Sequence, residues 1–206
     1  DFILFFATLL LDTGEKNIRK QKKITHYNRS FQMTVLVKIY MKRFTYSFYT
    51  KDLCTVPQII KHMEQIDAEL IGTDMENLRA FNHTYLIISK NVAKKIGTGH
   101  FQFDTLMQKL DVKFAYYYFD ALHDYLQEKK IAPAWQELFD ATVENKLYQS
   151  LYMAMGVNAH VINDLGLALF DTIQDERFQH DFDKVNETFN ECIAEVIASL
   201  HERSAL

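Results

Sequence analysis

Apolar residues recur every three or four positions from about residue 55 onward, which is the spacing typical of amphipathic helices. The first stripe follows Thr55, a favourable helix cap, and includes Pro57, which suits a first helical turn. This pattern predicts a helix that ends near Gly72 and buries Val56, Ile59, Ile60, Met63, Ile66 and Leu70.

Five more helices follow from the same pattern. Asp74 is the expected cap of the second helix, which should stop at Gly97. The stretch VKFAYYYFDAL in the third is apolar or aromatic on every side, so we expect that helix to be central and to pack beside the fifth. The remaining helices are predicted to cover about 105–128, 133–145, 147–171 and 181–202.

The composition supports an all-α, single-domain bundle of about six helices. Hydrophobic residues make up 48% of the 206 residues, which is enough for one solid core. Six glycines and two prolines are too few turn formers for a many-stranded β fold, and they suit long helices joined by short loops.

The first 50 residues show no comparable period, so we place the helical-bundle domain at 51–206 and treat 1–50 as a basic, irregular segment. Residues 1–51 hold 10 Lys and Arg against 3 Asp and Glu. The run EKNIRKQKK (15–23) could approach phosphates, but no nucleic-acid-binding motif accompanies it. Nucleic acid is therefore not an expected partner.

One apolar run, FILFFATLLL (2–11), bears on localisation. It is shorter than the roughly 20 residues that cross a bilayer, and no basic stretch precedes it as in a secretory signal. We expect a cytoplasmic protein with no transmembrane segment, and a clipped secretory signal is the alternative.

Polar residues interrupt the helix predicted at 147–171, in the stretch GVNAHVINDLGLAL (156–169). His160 and Asp164 are four residues apart, so on a helix they share one face and can share a hydrogen bond or an ion. Gly156 lies one turn earlier on that face and indicates close approach of a neighbouring helix or a ligand.

Three hypotheses explain this cluster. The first is a buried hydrogen-bond network, including Asn158, that only specifies helix packing. The second is a divalent metal site in which His160 and Asp164 join Asp120 and His123 from the 105–128 helix. The third is a metal-free ligand or catalytic site in which His160 is a general base and Asp164 or Asp111 orients it.

Four segments resemble, in order and spacing, a bacterial all-helical family catalogued only as a domain of unknown function. They are QIDAELIGTDMENLRAFNHTYL, FDTLMQKLDVKFAYYYFDAL, PAWQELF and MGVNAHVINDLGLAL, and the resemblance covers about 56–170. The last carries the family's Asn-Ala-His-(Ile/Val)-x-x-Asp-Leu motif. The resemblance brings no activity, and His123 does not match a motif position. It implies that one site gathers Asp74, Asn82, Asp111, Asn158, His160 and Asp164.

We therefore predict a polar pocket around this motif that binds or hydrolyses an unidentified small molecule. His160, Asp164 and Asp111 are its candidate catalytic residues, with Asn158, Asn82 and Asp74 as binding residues. A non-enzymatic interaction module is the alternative. A further one is a metal-dependent hydrolase similar to helical zinc phosphodiesterases such as phospholipase C, although the sequence offers far fewer ligands than those enzymes use.

Overall fold

The structure, a computed structural model, describes residues 42–46, 53–173 and 176–204, and the described residues form six helices longer than one turn. The predicted all-α fold is therefore confirmed. The apolar run 2–11, the basic run 15–23 and the proposed domain boundary at residue 50 lie outside the described residues. The helices are α1 (Val56–Glu69), α2 (Arg79–Lys95), α3 (Asp104–Leu126), α4 (Pro133–Glu144), α5 (Gln149–Thr172) and α6 (Gln179–Ser204).

Helix α1 begins as its sequence predicts. The Gln58 side chain reaches back to accept the Thr55 backbone N–H at 3.0 Å, and Pro57 stands in the first turn. Its inward face buries Ile59, Met63 and Ile66 almost completely.

Asp74 does not cap α2, contrary to the prediction. A short 3₁₀ turn, Glu76–Leu78, leads into the helix at Arg79. The Asp74 Oδ1 instead accepts the backbone N–H of Phe44 at 2.8 Å, and the Asp74 N–H donates to the Lys42 carbonyl at 3.0 Å. Asp74 therefore holds the 42–46 segment against the α1–α2 connection.

The central helix is α2, so the expectation that α3 would be central is wrong. Helix α2 packs against α1, α5 and α6, and Phe81, Leu86 and Ile87 on different sides of it are all buried. Helix α3 buries mainly one face, and its outer tyrosines reach carboxylates near the surface, such as Tyr117 with Asp171 at 2.7 Å. The predicted packing of α3 beside α5 is confirmed for the second half of α5.

Helix α5 is unusually apolar along its outer face. Ile162 and Phe170 are 73% and 77% exposed. Among the helices of the described residues, α5 alone is long and apolar enough to cross a membrane, with a mean hydropathy of 1.2 over its most apolar 18 residues. This is weak evidence for a membrane span, because the core helix of a soluble protein meets the same criteria; 33% of those 18 residues are buried.

Candidate functional site

Helix α5 changes its winding at the motif. The segments Gln149–Ala159 and Leu165–Thr172 are α-helical, whereas His160–Asp164 forms a π-helical turn. The Leu165 N–H donates to the His160 carbonyl, five residues back. Short π turns are rare and occur frequently at functional sites, and the apolar periodicity did not predict this one.

His160 and Asp164 form a buried hydrogen-bonded pair on this turn. His160 Nδ1 lies 2.8 Å from Asp164 Oδ2, and the two residues are 3% and 1% exposed. The same carboxylate accepts the Trp135 indole N–H at 3.2 Å and the Asn163 amide at 2.7 Å. Because the carboxylate is an acceptor, the imidazole proton belongs on Nδ1, which leaves Nε2 as a bare acceptor.

The His160 ring is enclosed by aromatic side chains. The Phe114 ring stacks on it with centroids 3.5 Å apart, and the edge of Tyr85 approaches at 4.5 Å. Burial lowers the pKa of His160, against the raising effect of Asp164. The imidazole is therefore neutral at physiological pH, as a general base must be.

Gly156 allows α5 to approach α2 closely. A Cβ added at this position would overlap the Phe81 ring. The predicted close approach of a neighbouring helix is confirmed, and the neighbour is α2. Gly166, on the outer side of the helix, faces open space.

A cavity of about 530 Å³ lies between α2, α3, α5 and α6, and we call it the His160 cavity. His160 and Asp111 both line it. The His160 Nε2 and the Asp111 Oδ2 are buried and have no hydrogen-bond partner among the described residues. Most of the remaining wall is apolar, including Ile88, Val92, Met107, Leu110, Val157 and Leu165.

Asp111 is a buried carboxyl group, 7% exposed, one helical turn before Phe114. Desolvation raises its pKa to about 7, so a substantial fraction is protonated near neutral pH. Burial also raises the pKa of Tyr85, and the negative charge of Asp111 adds to this effect. A strongly shifted carboxyl group beside a cavity is typical of functional sites.

The other predicted binding residues do not join the cavity. Asn158 is exposed. Asn82 is fully buried, where it donates to the Met63 carbonyl at 3.0 Å and accepts from the Tyr118 hydroxyl at 3.2 Å. Asp74 borders a separate cavity of about 520 Å³. The structure thus brings together His160, Asp164 and Asp111 but not the full set of six.

The four candidate metal ligands do not gather either. Asp120 and His123 are absent from the described lining of the His160 cavity, and both carboxylate oxygens of Asp164 accept hydrogen bonds from N–H donors. Within 42–46, 53–173 and 176–204, no group of three or more His, Cys, Asp or Glu residues could hold a metal ion.

Sequence reasoning missed several residues of this site. Phe114 and Tyr85, which enclose His160, look like ordinary core positions in the apolar pattern. Trp135 on α4 is the third, and its buried indole N–H donates to Asp164. Since a buried indole N–H requires an acceptor, a lone tryptophan in an apolar helix was a usable signal.

The fold and the site define an all-α bundle that holds a buried histidine–aspartate pair beside a largely apolar cavity. A model of a family described as "Family of unknown function (DUF5995)" matches residues 56–206. The chain belongs to this family, as its resemblance to a helical family of unknown function predicted. Neither a curated protein nor a solved structure matched the chain.

Proposed function

We propose that this protein binds a small, mainly apolar molecule in the His160 cavity and that His160 acts on it as a general base oriented by Asp164. One observation carries the proposal. The Nδ1 edge of the imidazole is held by Asp164, whereas Nε2, on the other side of the ring, has no partner in the described structure. An unsatisfied buried acceptor costs about 1–3 kcal/mol, so a ligand group that donates to it is expected.

The arrangement suits proton transfer more than direct nucleophilic attack. The described lining contains no serine or cysteine, and Thr84 donates its hydroxyl to the Ala80 carbonyl at 2.9 Å. In a hydrolytic reaction, Nε2 takes a proton from a water molecule while the oxygen of that water attacks the carbonyl carbon of the bound ligand. The imidazolium, stabilised by Asp164, then returns that proton to the leaving group.

A packing role for the same residues is the competing function. It is favoured by Asp164, whose oxygens accept from His160, Trp135 and Asn163 and so already join α4 to α5. The two functions differ in one respect: only a ligand site requires that small molecules reach Nε2.

Histidine acylation of the native protein tests this access. Diethyl pyrocarbonate is a neutral reagent that modifies unprotonated imidazoles, and peptide mass spectrometry locates the product. His62 is a matched internal control, because it is also 3% exposed, does not line the cavity, and its Nε2 is hydrogen bonded to the Tyr46 hydroxyl. We expect His160 to react on the order of tenfold faster than His62, since only its Nε2 is an available acceptor.

Base catalysis is tested with p-nitrophenyl butyrate, a neutral ester. The His160→Gln variant should lose the hydrolysis of this ester that the wild-type protein catalyses, and the His62→Gln variant should retain it. Equal protection of both histidines in the native protein would overturn the proposal and leave the packing role. That comparison uses the wild-type protein, so it stands even if His160→Gln folds poorly.

A further inference from the structure

The charged side chains that line the His160 cavity are all acidic. Asp111 comes from α3, and Asp183 and Glu187 come from α6. No lysine or arginine belongs to the lining that the structure describes. We infer that the cavity selects a hydrophobic organic amine, whose ammonium group pairs with Asp111 while the apolar wall covers the rest of the molecule. This inference rests on the proposed function, because it names the ligand class of the same cavity.

Three residues that line the cavity carry an unsatisfied buried group: Tyr85, whose hydroxyl can donate or accept, and His160 and Asp111, whose groups are acceptors. His160 Nε2 accepts hydrogen bonds only, and an ionised Asp111 Oδ2 does the same. Both residues are more than nine-tenths buried. An ammonium group carries three donors and no acceptor, so it can donate to the Asp111 Oδ2 and neutralise the carboxylate, which leaves Nε2 available to the water that it activates. A ligand carboxylate would satisfy neither atom and would lie beside a buried negative charge.

The acidic residues on the α6 side of the cavity also favour a cationic ligand. Glu187 is paired with Lys184 at 2.7 Å, whereas Asp183 accepts only an amide hydrogen bond from Gln179, at 2.9 Å, among its described contacts. The α6 side of the cavity therefore carries net negative charge. It attracts cations and repels anions as they approach.

Aromatic rings make up much of the wall. A cation over an aromatic face gains about 0.5–2 kcal/mol, more when it is desolvated, so such a wall favours an alkylated or aryl amine over a neutral analogue of the same shape. The rings come from all the elements that surround the cavity except α5: Phe81, Tyr85, Phe114, Phe182 and Phe189.

Asp111 without a ligand is in a poor environment for its charge. Its pKa of about 7 reflects desolvation alone, with Tyr85 neutral beside it and His160 neutral across the same cavity. A bound ammonium would stabilise the ionised carboxyl group and lower its pKa. Binding of the amine near pH 6.5 is thus expected to release a fraction of a proton from Asp111.

The test compares three probes of matched shape by isothermal titration calorimetry: phenylbutylamine, phenylbutanol and phenylbutyrate. The amine should bind about tenfold more tightly than the alcohol, as expected for one charge-assisted hydrogen bond, and the carboxylate should bind more weakly than either. Titration in buffers of different ionisation enthalpy should show proton release with the amine and none with the alcohol.

Asp111→Asn should reduce amine affinity about tenfold and leave alcohol affinity unchanged. Glu137→Gln, an exposed charge neutralisation on α4 outside the described cavity lining, should change neither. Circular dichroism checks that the variants are folded.

Several outcomes would overturn the inference: equal binding of amine and alcohol, tightest binding of phenylbutyrate, no binding of any probe, or an Asp111→Asn variant that keeps the amine preference. These results are distinct from failure of the proposed function. If the function fails, His160 is protected from diethyl pyrocarbonate; if only the ligand class is wrong, His160 still reacts.

Discussion

The Phe114 ring lies flat against the imidazole of His160, with centroids 3.5 Å apart and planes 7° apart. The Tyr85 ring closes a second side at 4.5 Å. These two rings replace solvent around much of the imidazole, so a proton on Nε2 would add a poorly solvated charge. The contact between α3 and α5 therefore holds His160 in its neutral form.

The first prediction concerns stability at acid pH. Burial places the pKa of His160 below that of the unfolded chain, so below about pH 6.5 the unfolded state binds the extra proton. The stabilising contribution of the neutral His160 is complete above pH 6.5 and is lost as the pH falls. Relative to His160→Gln, the wild type should lose about 1.4 kcal/mol of unfolding free energy per pH unit below about pH 6, measured by urea denaturation.

His62 provides a second case of the same sign. Desolvation lowers its pKa to about 4, so relative to His62→Gln the wild type should lose unfolding free energy with a comparable slope between about pH 6.5 and pH 4. If both variants and the wild type gave parallel curves, the lowered pKa values would be contradicted.

The second prediction concerns Asp111, whose raised pKa gives the free energy of unfolding the opposite pH dependence. Its folded-state pKa is raised from 3.8 to about 7, so its contribution is complete below pH 3.8 and is lost as the pH rises through 7. Asp111→Asn removes the ionisable group and should stabilise the ligand-free protein at pH 8 by a few kcal/mol, with a much smaller effect near pH 4. Urea denaturation at both pH values measures this difference. The exposed Glu137→Gln variant should show no such pH dependence.

The third prediction compares two glycines of α5. Gly156→Ala should destabilise the protein by about 1–3 kcal/mol or more, because its methyl group would overlap Phe81 and force α2 and α5 apart. Gly166→Ala should be neutral or stabilise by up to about 1 kcal/mol, because alanine favours the helix and meets open space. Thermal unfolding of both variants measures the difference. Equal effects would mean that α5 does not press on Phe81.

The fourth prediction concerns the indole of Trp135. Trp135→Phe removes a buried donor from Asp164 and should cost about 1–3 kcal/mol. Tyr125→Phe is the matched control, because it removes a hydroxyl that donates to Asp140 at an exposed site and should cost less than about 1 kcal/mol. Urea denaturation followed by circular dichroism is suitable, because the chain has only one tryptophan. A loss no larger than that of the control would contradict a role for Trp135 in holding the carboxylate.

Local patterns were sufficient where local interactions decide the structure. The apolar stripe and capping residues of α1 predicted its start, since Thr55, Pro57 and Gln58 act within one turn. The four-residue spacing of His160 and Asp164 predicted their contact, which survives the π turn. The cap at Asp74 was wrong because its carboxylate binds a backbone N–H thirty positions away, and no local pattern contains that partner.

The sequence by itself determined the all-α class, most helix positions and the His160–Asp164 pair, because these depend on periodicity along one chain segment. The tertiary structure decided that α2 is central, that Asp111 shares a cavity with His160, and that Asn158 and Asn82 lie elsewhere. The physical reason is that burial, desolvation and cavity shape arise where different helices meet. A carboxyl group on α3 acquires its raised pKa only when α2, α5 and α6 exclude water from it.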